Sequence, residues 1–201
     1  MLSTNPCILE LSSQFAEANK ELINCQRMTV MKKGQMFYKY PTRYSTNKTM
    51  TLLKSKPKMF HLKLSMNEKC LELEEQDQKV EDRNKSVIDI ASIRHLVIGQ
   101  ACQHIQNASV SSDKSELVFS LMLLENVNHD FCANTRQIAN YWIDGLNILM
   151  GNPPCSVDYE KELKDITDMD TSLHLLELQN VAIPHLPPPI PATTPTLPFL
   201  I

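Results

Sequence analysis

The feature that most constrains this chain is a change of apolar period at Gly34, with a change back near residue 134. Before Gly34, Asn5-Pro6 reads as a helix start, with Asn at the cap and Pro at the first helical position. Ile8, Leu11, Phe15, Ala18 and Leu22 then recur at steps of three and four, the stripe of one amphipathic helix face. That predicts a helix to about Lys33, ended by Gly34.

After Gly34 the period drops to two. "QMFYKY" (35–40) and "KMFHLKL" (58–64) flank a polar, basic insert that reads as a long loop. "KCLELEE" (69–75) alternates, setting Leu71 and Leu73 opposite Glu72 and Glu74. An acidic loop over 75–85 leads to "SVIDI" (86–90) and "IRHLVIG" (93–99). A polar loop over 100–114 leads to "ELVFSLMLL" (116–124) and "NHDFCA" (128–133). Seven short strands at this spacing predict an antiparallel barrel or sandwich.

The helical period then returns. Asn134 with Gln137 reads as a capping box, Ile138, Trp142, Leu146 and Leu149 form the stripe, and Gly151 with Pro153-Pro154 ends it. A last helix is expected from about Val157 to Leu178. Leu163, Ile166, Met169, Leu173 and Leu176 lie in line on it, and Leu175 and Leu178 widen the face beyond one contact surface. An antiparallel barrel left open at one corner needs a cap, and a helix carrying the single Trp can fill it. The expected class is α+β: a PH-like (pleckstrin-homology-like) seven-stranded antiparallel barrel capped by a C-terminal helix, with flanking N- and C-terminal helices. The expected divisions are 1–33 helix, 34–152 barrel and cap, 156–180 helix and 184–201 tail.

Composition limits the chemistry. The chain has 201 residues, a formal charge of −3 and 42% hydrophobic residues, which gives no general pull toward nucleic acid. No run approaches the ~20 apolar residues of a membrane span, and no charged n-region with an apolar block opens the chain. Six cysteines lie far apart with no C-x-x-C pair, which points to reduced thiols in the cytoplasm. Cys102-x-His104 has no second ligand pair at the spacing zinc requires, so no metal is expected. With four Gly there is no phosphate-cradling loop, and no nucleophile triad or carboxylate pair has supporting context. A non-catalytic protein without a cofactor is expected.

Charge and proline are unevenly placed. From Gln26 to Lys63 there are ten Lys or Arg and no Asp or Glu, whereas acidic residues outnumber basic ones more than twofold after Leu64. From Leu186 to Pro198, six of thirteen positions are Pro and none is charged, which predicts a disordered tail. Pro184-x-x-Pro187, Pro188-x-x-Pro191 and Pro195-x-x-Pro198 repeat at three residues, the pitch of polyproline II. Prolines at i and i+3 then share one edge of a preformed rod, the shape that SH3, WW or EVH1 grooves accept. A solvated linker is the plain alternative.

Two segments carry a family resemblance. "YWIDGLNILMG" (141–151) and "LHLLELQNVAIPHLPPPIP" (173–191) resemble the C-terminal region of the engulfment and cell motility (ELMO) family. "IRHLVIGQACQH" (93–104) and "MFHLKLSMNEK" (59–69) fit the same PH domain. The resemblance covers about residues 20–191. It implies an adaptor whose helices and Pro-rich end hold a Dock-family exchange factor, activating the GTPase Rac in phagocytosis and migration, from the cytoplasm at the plasma membrane. The family's upstream repeats and central domain are not in this sequence, so a fragment or short isoform is expected.

On this reading Pro184, Pro187, Pro188, Pro189, Ile190 and Pro191 meet the SH3 domain. Leu163, Ile166, Leu173, Leu175, Leu176 and Leu178 meet a partner helix, although they could also pack on the barrel or the first helix. No Lys or Arg follows Lys164, so the usual basic anchor of an SH3 ligand is missing and the tail alone should bind weakly. The rival reading is a membrane module in which Lys39, Arg43, Lys56 and Lys58 contact anionic lipid or a phosphoinositide. PH head-group sites use basic residues on the first two strands, but a Lys offers a point charge where an Arg offers a fork.

Overall fold

The computed structural model describes residues 6–41, 43–44, 57–76, 85–102, 115–124 and 127–179; for 6–9 and 43–44 it describes the backbone alone. Among these the order is α1 (Pro6–Lys33), β1 (Gln35–Lys39), β2 (Arg43–Tyr44), β3 (Lys58–Leu64), β4 (Cys70–Glu75) and β5 (Lys85–Asp89). Then come β6 (Ile93–Ile98), β7 (Val118–Leu123), β8 (Val127–Ala133), α2 (Arg136–Leu149) and α3 (Val157–Leu178).

All pairings are antiparallel and consecutive around one sheet, β5-β4-β3-β1-β8-β7-β6. β1 is the hinge of this order, because Phe37 lies opposite Phe60 of β3 and Ala133 of β8. The seven expected strands form within a residue or two of their read limits. The expected loop between β1 and β3 holds one further pairing, Arg43 with Asn128 and Tyr44 with Val127. Pro41 cannot donate to a ladder, so this short stretch stands apart from β1.

Alternation puts the apolar side chains inside. Phe37, Leu62, Leu64, Leu71, Leu73, Phe119, Leu121 and Phe131 are buried together with Trp142 and Leu146 of α2. α2 closes the barrel corner as the single Trp suggested. Its cap is Thr135 rather than the expected Asn134, with the Thr135 hydroxyl accepting from the Ile138 N–H at 3.3 Å. Either residue suits the role, and only the local backbone decides between neighbours.

α1 leaves the stop at Gly34 with φ of 79°, the left-handed conformation glycine permits. A Cβ there would also lie 2.5 Å from the His61 ring. Its C-terminal half lies on α2, where Met28 and Met31 fill the space above Gly145 that a side chain would occupy. The face α1 buries differs from the expected stripe. Asn19, Ile23, Arg27, Met28 and Met31 are buried, whereas Ala18 is exposed and Leu22 is 60% exposed. A polar pair at positions 19 and 27 hides the true stripe from a count of apolar residues.

Candidate functional site

α3 runs antiparallel to α1 and is held there by polar contacts. The Ser156 hydroxyl caps α3 by accepting from the Tyr159 N–H at 3.1 Å, and itself donates to Asp144 at 2.6 Å. Asp144 also accepts the Cys155 and Ser156 N–H groups, so the start of α3 is anchored on α2. Along the helix pair, Tyr159 donates to Asn24 at 2.9 Å and Arg27 donates to Glu162 at 2.6 Å. Asn19 donates to Asp170 at 2.9 Å and Thr167 at 3.5 Å, and Phe15 meets the His174 ring edge-on at 5.9 Å. Tyr159, Thr167 and Thr171 are the buried residues of α3.

The leucines expected to meet a partner are therefore divided: Leu163, one turn from both buried Tyr159 and Thr167, lies on the face that docks α3, and others lie outside it. Leu163, Ile166 and Leu175 are half-buried. Leu173 and Leu176 are each 38% exposed, Met169 56% and Leu178 66%. On α1, Ala18 and Leu22 each precede a buried residue, Asn19 and Ile23. On α3, Ile166 and Leu173 each precede a contact residue, Thr167 and His174. Two right-handed helices packed antiparallel carry their one-before positions on the same side of the pair. Ala18 and Leu22 of α1 with Ile166, Met169, Leu173 and Leu176 of α3 thus lie along one flank of the pair, and Leu178 lies off it. Water-exposed leucines at this density cost the free chain hydrophobic free energy that a covering surface would recover.

Sequence reasoning missed the polar contact residues Asn19, Arg27, Tyr159, Thr167 and Thr171. A signal was present in the step-of-four run Asn19, Ile23, Arg27, Met31, which only makes sense as a face if Asn and Arg are allowed inside.

The proposed lipid contacts lie at the opposite character of site. Lys39 and Lys58 face each other across the β1–β3 ladder. Like charges so placed repel, and buried carboxylates of Glu75 and Asp130 offset them. Lys58 pairs with Glu75 at 2.5 Å. Lys39 lies with its ammonium 5.4 Å from the Phe60 ring centroid. Burial lowers the Lys39 pKa, and the nearby Asp130 and Glu75 charges resist that fall. Asp130 also accepts the Ser120 hydroxyl. His129, beside this group, is driven down to about 4 by burial and by the Lys39 charge. Sequence counted ten cations between Gln26 and Lys63, but the acids near Lys39 and Lys58 come from β4 and β8, Arg27 is answered by Glu162 of α3, and Lys32 by Glu68. The Lys56 side chain and that of Arg43 lie outside the described residues, as do Pro184, Pro187, Pro188, Pro189, Ile190 and Pro191.

Cys102 is buried and its thiol is pushed up to about 11, chiefly by that burial, so it is not a ready thiolate. His104 lies outside the described residues. No helix among the described residues is long and apolar enough to cross a membrane.

The family model for the pleckstrin homology domain matches residues 23–151, from within α1 past the end of α2. Engulfment and cell motility protein 1 of Mus musculus is 31% identical over 192 residues, which is 92% of this chain and 25% of that protein. Engulfment and cell motility protein 2 of Homo sapiens is 28% identical over 195 residues, 93% of this chain and 26% of that protein. Engulfment and cell motility protein 3 of Homo sapiens is 29% identical over 192 residues, 90% of this chain and 25% of that protein. The chain spans about a quarter of the length of these relatives. Among solved structures, Inner Membrane Complex sub-compartment protein 1 of Toxoplasma gondii aligns with 65% of this chain and 92% of its own. The identity is 14% and the TM-score 0.45. By its antiparallel barrel, its Trp-bearing capping helix and the matched span, this chain belongs to the pleckstrin homology domain family, and over nine-tenths of its length it resembles the engulfment and cell motility proteins.

Proposed function

We propose that this chain is a non-catalytic adaptor in engulfment and cell motility, holding a Dock-family exchange factor and thereby promoting Rac activation. Two parts share the task. The apolar flank of α1 and α3 receives a partner helix, and the Pro-rich segment 184–191 enters the partner's SH3 groove. The observation that carries this reading is the exposed flank. α3 rests on α1 by hydrogen bonds and an ion pair while Met169, Leu173 and Leu176 stay in water. Each such side chain, once covered, would add about 1–2 kcal/mol to association. α3 leads directly into the proline segment, so docking of the helix raises the effective concentration of the prolines at their groove.

The lipid reading is weaker on the same grounds. A head-group site needs uncommitted cations, and Lys58 is tied to Glu75 while Lys39 sits over Phe60 near two acids. Co-purification of the chain with a Dock-family exchange factor, run beside sedimentation with anionic liposomes, tests the proposal. Capture by the exchange factor with little liposome binding is expected. Strong, head-group-selective liposome binding without capture would reverse the ranking.

A further inference from the structure

The geometry points to Arg27 as a positioning residue that fixes where α3 lies on α1, and so assembles the apolar flank as one surface. The inference rests on the docking reading above, since it concerns how that surface is held.

Arg27 is fully buried where α1, α2 and α3 meet. Its Nη2 donates to Glu162 of α3 at 2.6 Å, and its Nε lies 3.7 Å from Asp144 of α2. The guanidinium carbon sits 3.9 Å from the Tyr141 ring centroid on α2 and 5.8 Å from that of Tyr159 on α3. Tyr141 also donates its hydroxyl to Glu162 at 3.1 Å, so one carboxylate joins both neighbours. Nε and Nη1 have no hydrogen-bond partner among the described residues. A guanidinium buried with donors unused is a poor way to gain stability, and an apolar side chain of similar volume would serve the core at least as well.

A planar guanidinium does what an apolar side chain cannot, because its hydrogen bond to Glu162 and its stacking on Tyr141 are met together in one arrangement only. Leucines tolerate sliding. Moving α3 by one helical turn would carry Glu162 about 5 Å away and leave the buried Nη2 without its acceptor, with only Asp144 of α2 still near the cation. Asn19, two turns earlier on α1, fixes the far half of α3 through Asp170 in the same directional way. With the contact face largely polar and directional, Met169, Leu173 and Leu176 stay on the outer flank.

The test is native-state hydrogen exchange on the whole chain, with calorimetric binding of a Dock-family exchange factor as a second readout. In Arg27→Met, the barrel amides around Leu121 and Phe131 should keep their protection. Amides of residues 157–178 should exchange at least about tenfold faster, and affinity should fall by a similar factor. Arg27→Lys keeps the charge without the fork and should not restore either quantity. Unchanged α3 protection in a folded Arg27→Met, or full restoration by Lys, would overturn the inference. Should Arg27→Met not fold, Glu162→Gln carries the same test from a partly exposed position, where faster α3 exchange supports the role and wild-type exchange overturns it. Leu173→Glu with Leu176→Glu separates the two readings. If that variant binds normally the docking reading fails, while the exchange result still decides the place of Arg27.

Discussion

The Trp142 indole meets the Phe37 ring edge-on, with centroids 5.3 Å apart and planes at 77°. Phe37 makes the same kind of contact with Phe119 at 5.6 Å and Phe131 at 6.2 Å, so one aromatic cluster joins β1, β7, β8 and α2. Both Trp142 and Phe37 are fully buried. Trp142→Ala should remove about 3–5 kcal/mol from the stability of the barrel. Urea unfolding followed by circular dichroism checks this, and a midpoint equal to wild type would mean α2 does not cap the core.

The state of His129 gives the fold an acid-side weakness. Its folded pKa of about 4 lies below the ordinary 6.5, because burial and Lys39 disfavour the cation. Between those values the unfolded chain binds a proton that the folded chain does not, so stability rises with pH there and is level above. Discounted for partial exposure, the loss on going from pH 6.5 to 4 is about 1–2 kcal/mol. His129→Gln should lack this component, so its stability relative to wild type should grow as the pH falls. Paired urea titrations at pH 7.5 and 4.5 measure it, and a pH-independent difference would contradict the assignment.

For lipid, the committed state of Lys39 and Lys58 sets the expectation. Binding to anionic liposomes should be weak, indifferent to head-group isomer and largely lost as salt approaches physiological strength. Sedimentation with vesicles of differing phosphoinositide content reads this out. Submicromolar selectivity for one isomer at physiological salt would show that those lysines are free to bind.

The strands and the capping helix were legible because their burial follows residue type. Leu71 and Leu73 alternate with glutamates, and Trp142 has one place to go. The docking of α3 was not legible for the opposite reason. Asn19, Arg27, Thr167 and Thr171 are residues that a periodicity count assigns to water; Asn19, Thr167 and Thr171 are buried satisfying one another or the backbone, and Arg27 against the Glu162 and Asp144 carboxylates. The leucines of α3 are visible in the sequence, but which of them are exposed depends on the polar face beside them. In the barrel, the count of cations over 26–63 could not reveal Glu75 and Asp130, because strand pairing brings them in from distant sequence.

The central claim is that helix and prolines act as two halves of one site, and titration calorimetry against an intact Dock-family exchange factor tests it most directly. Pro188→Ala with Pro191→Ala should abolish binding of a peptide 180–201 to the isolated SH3 domain, which that charge-free ligand grips only by pocket burial. In the whole chain the same pair should only weaken binding. Leu173→Glu with Leu176→Glu, which puts two charges on the exposed flank, should weaken it more. If the proline variant of the whole chain loses all affinity while the folded leucine variant loses none, the helix has no part in recognition and the account is wrong.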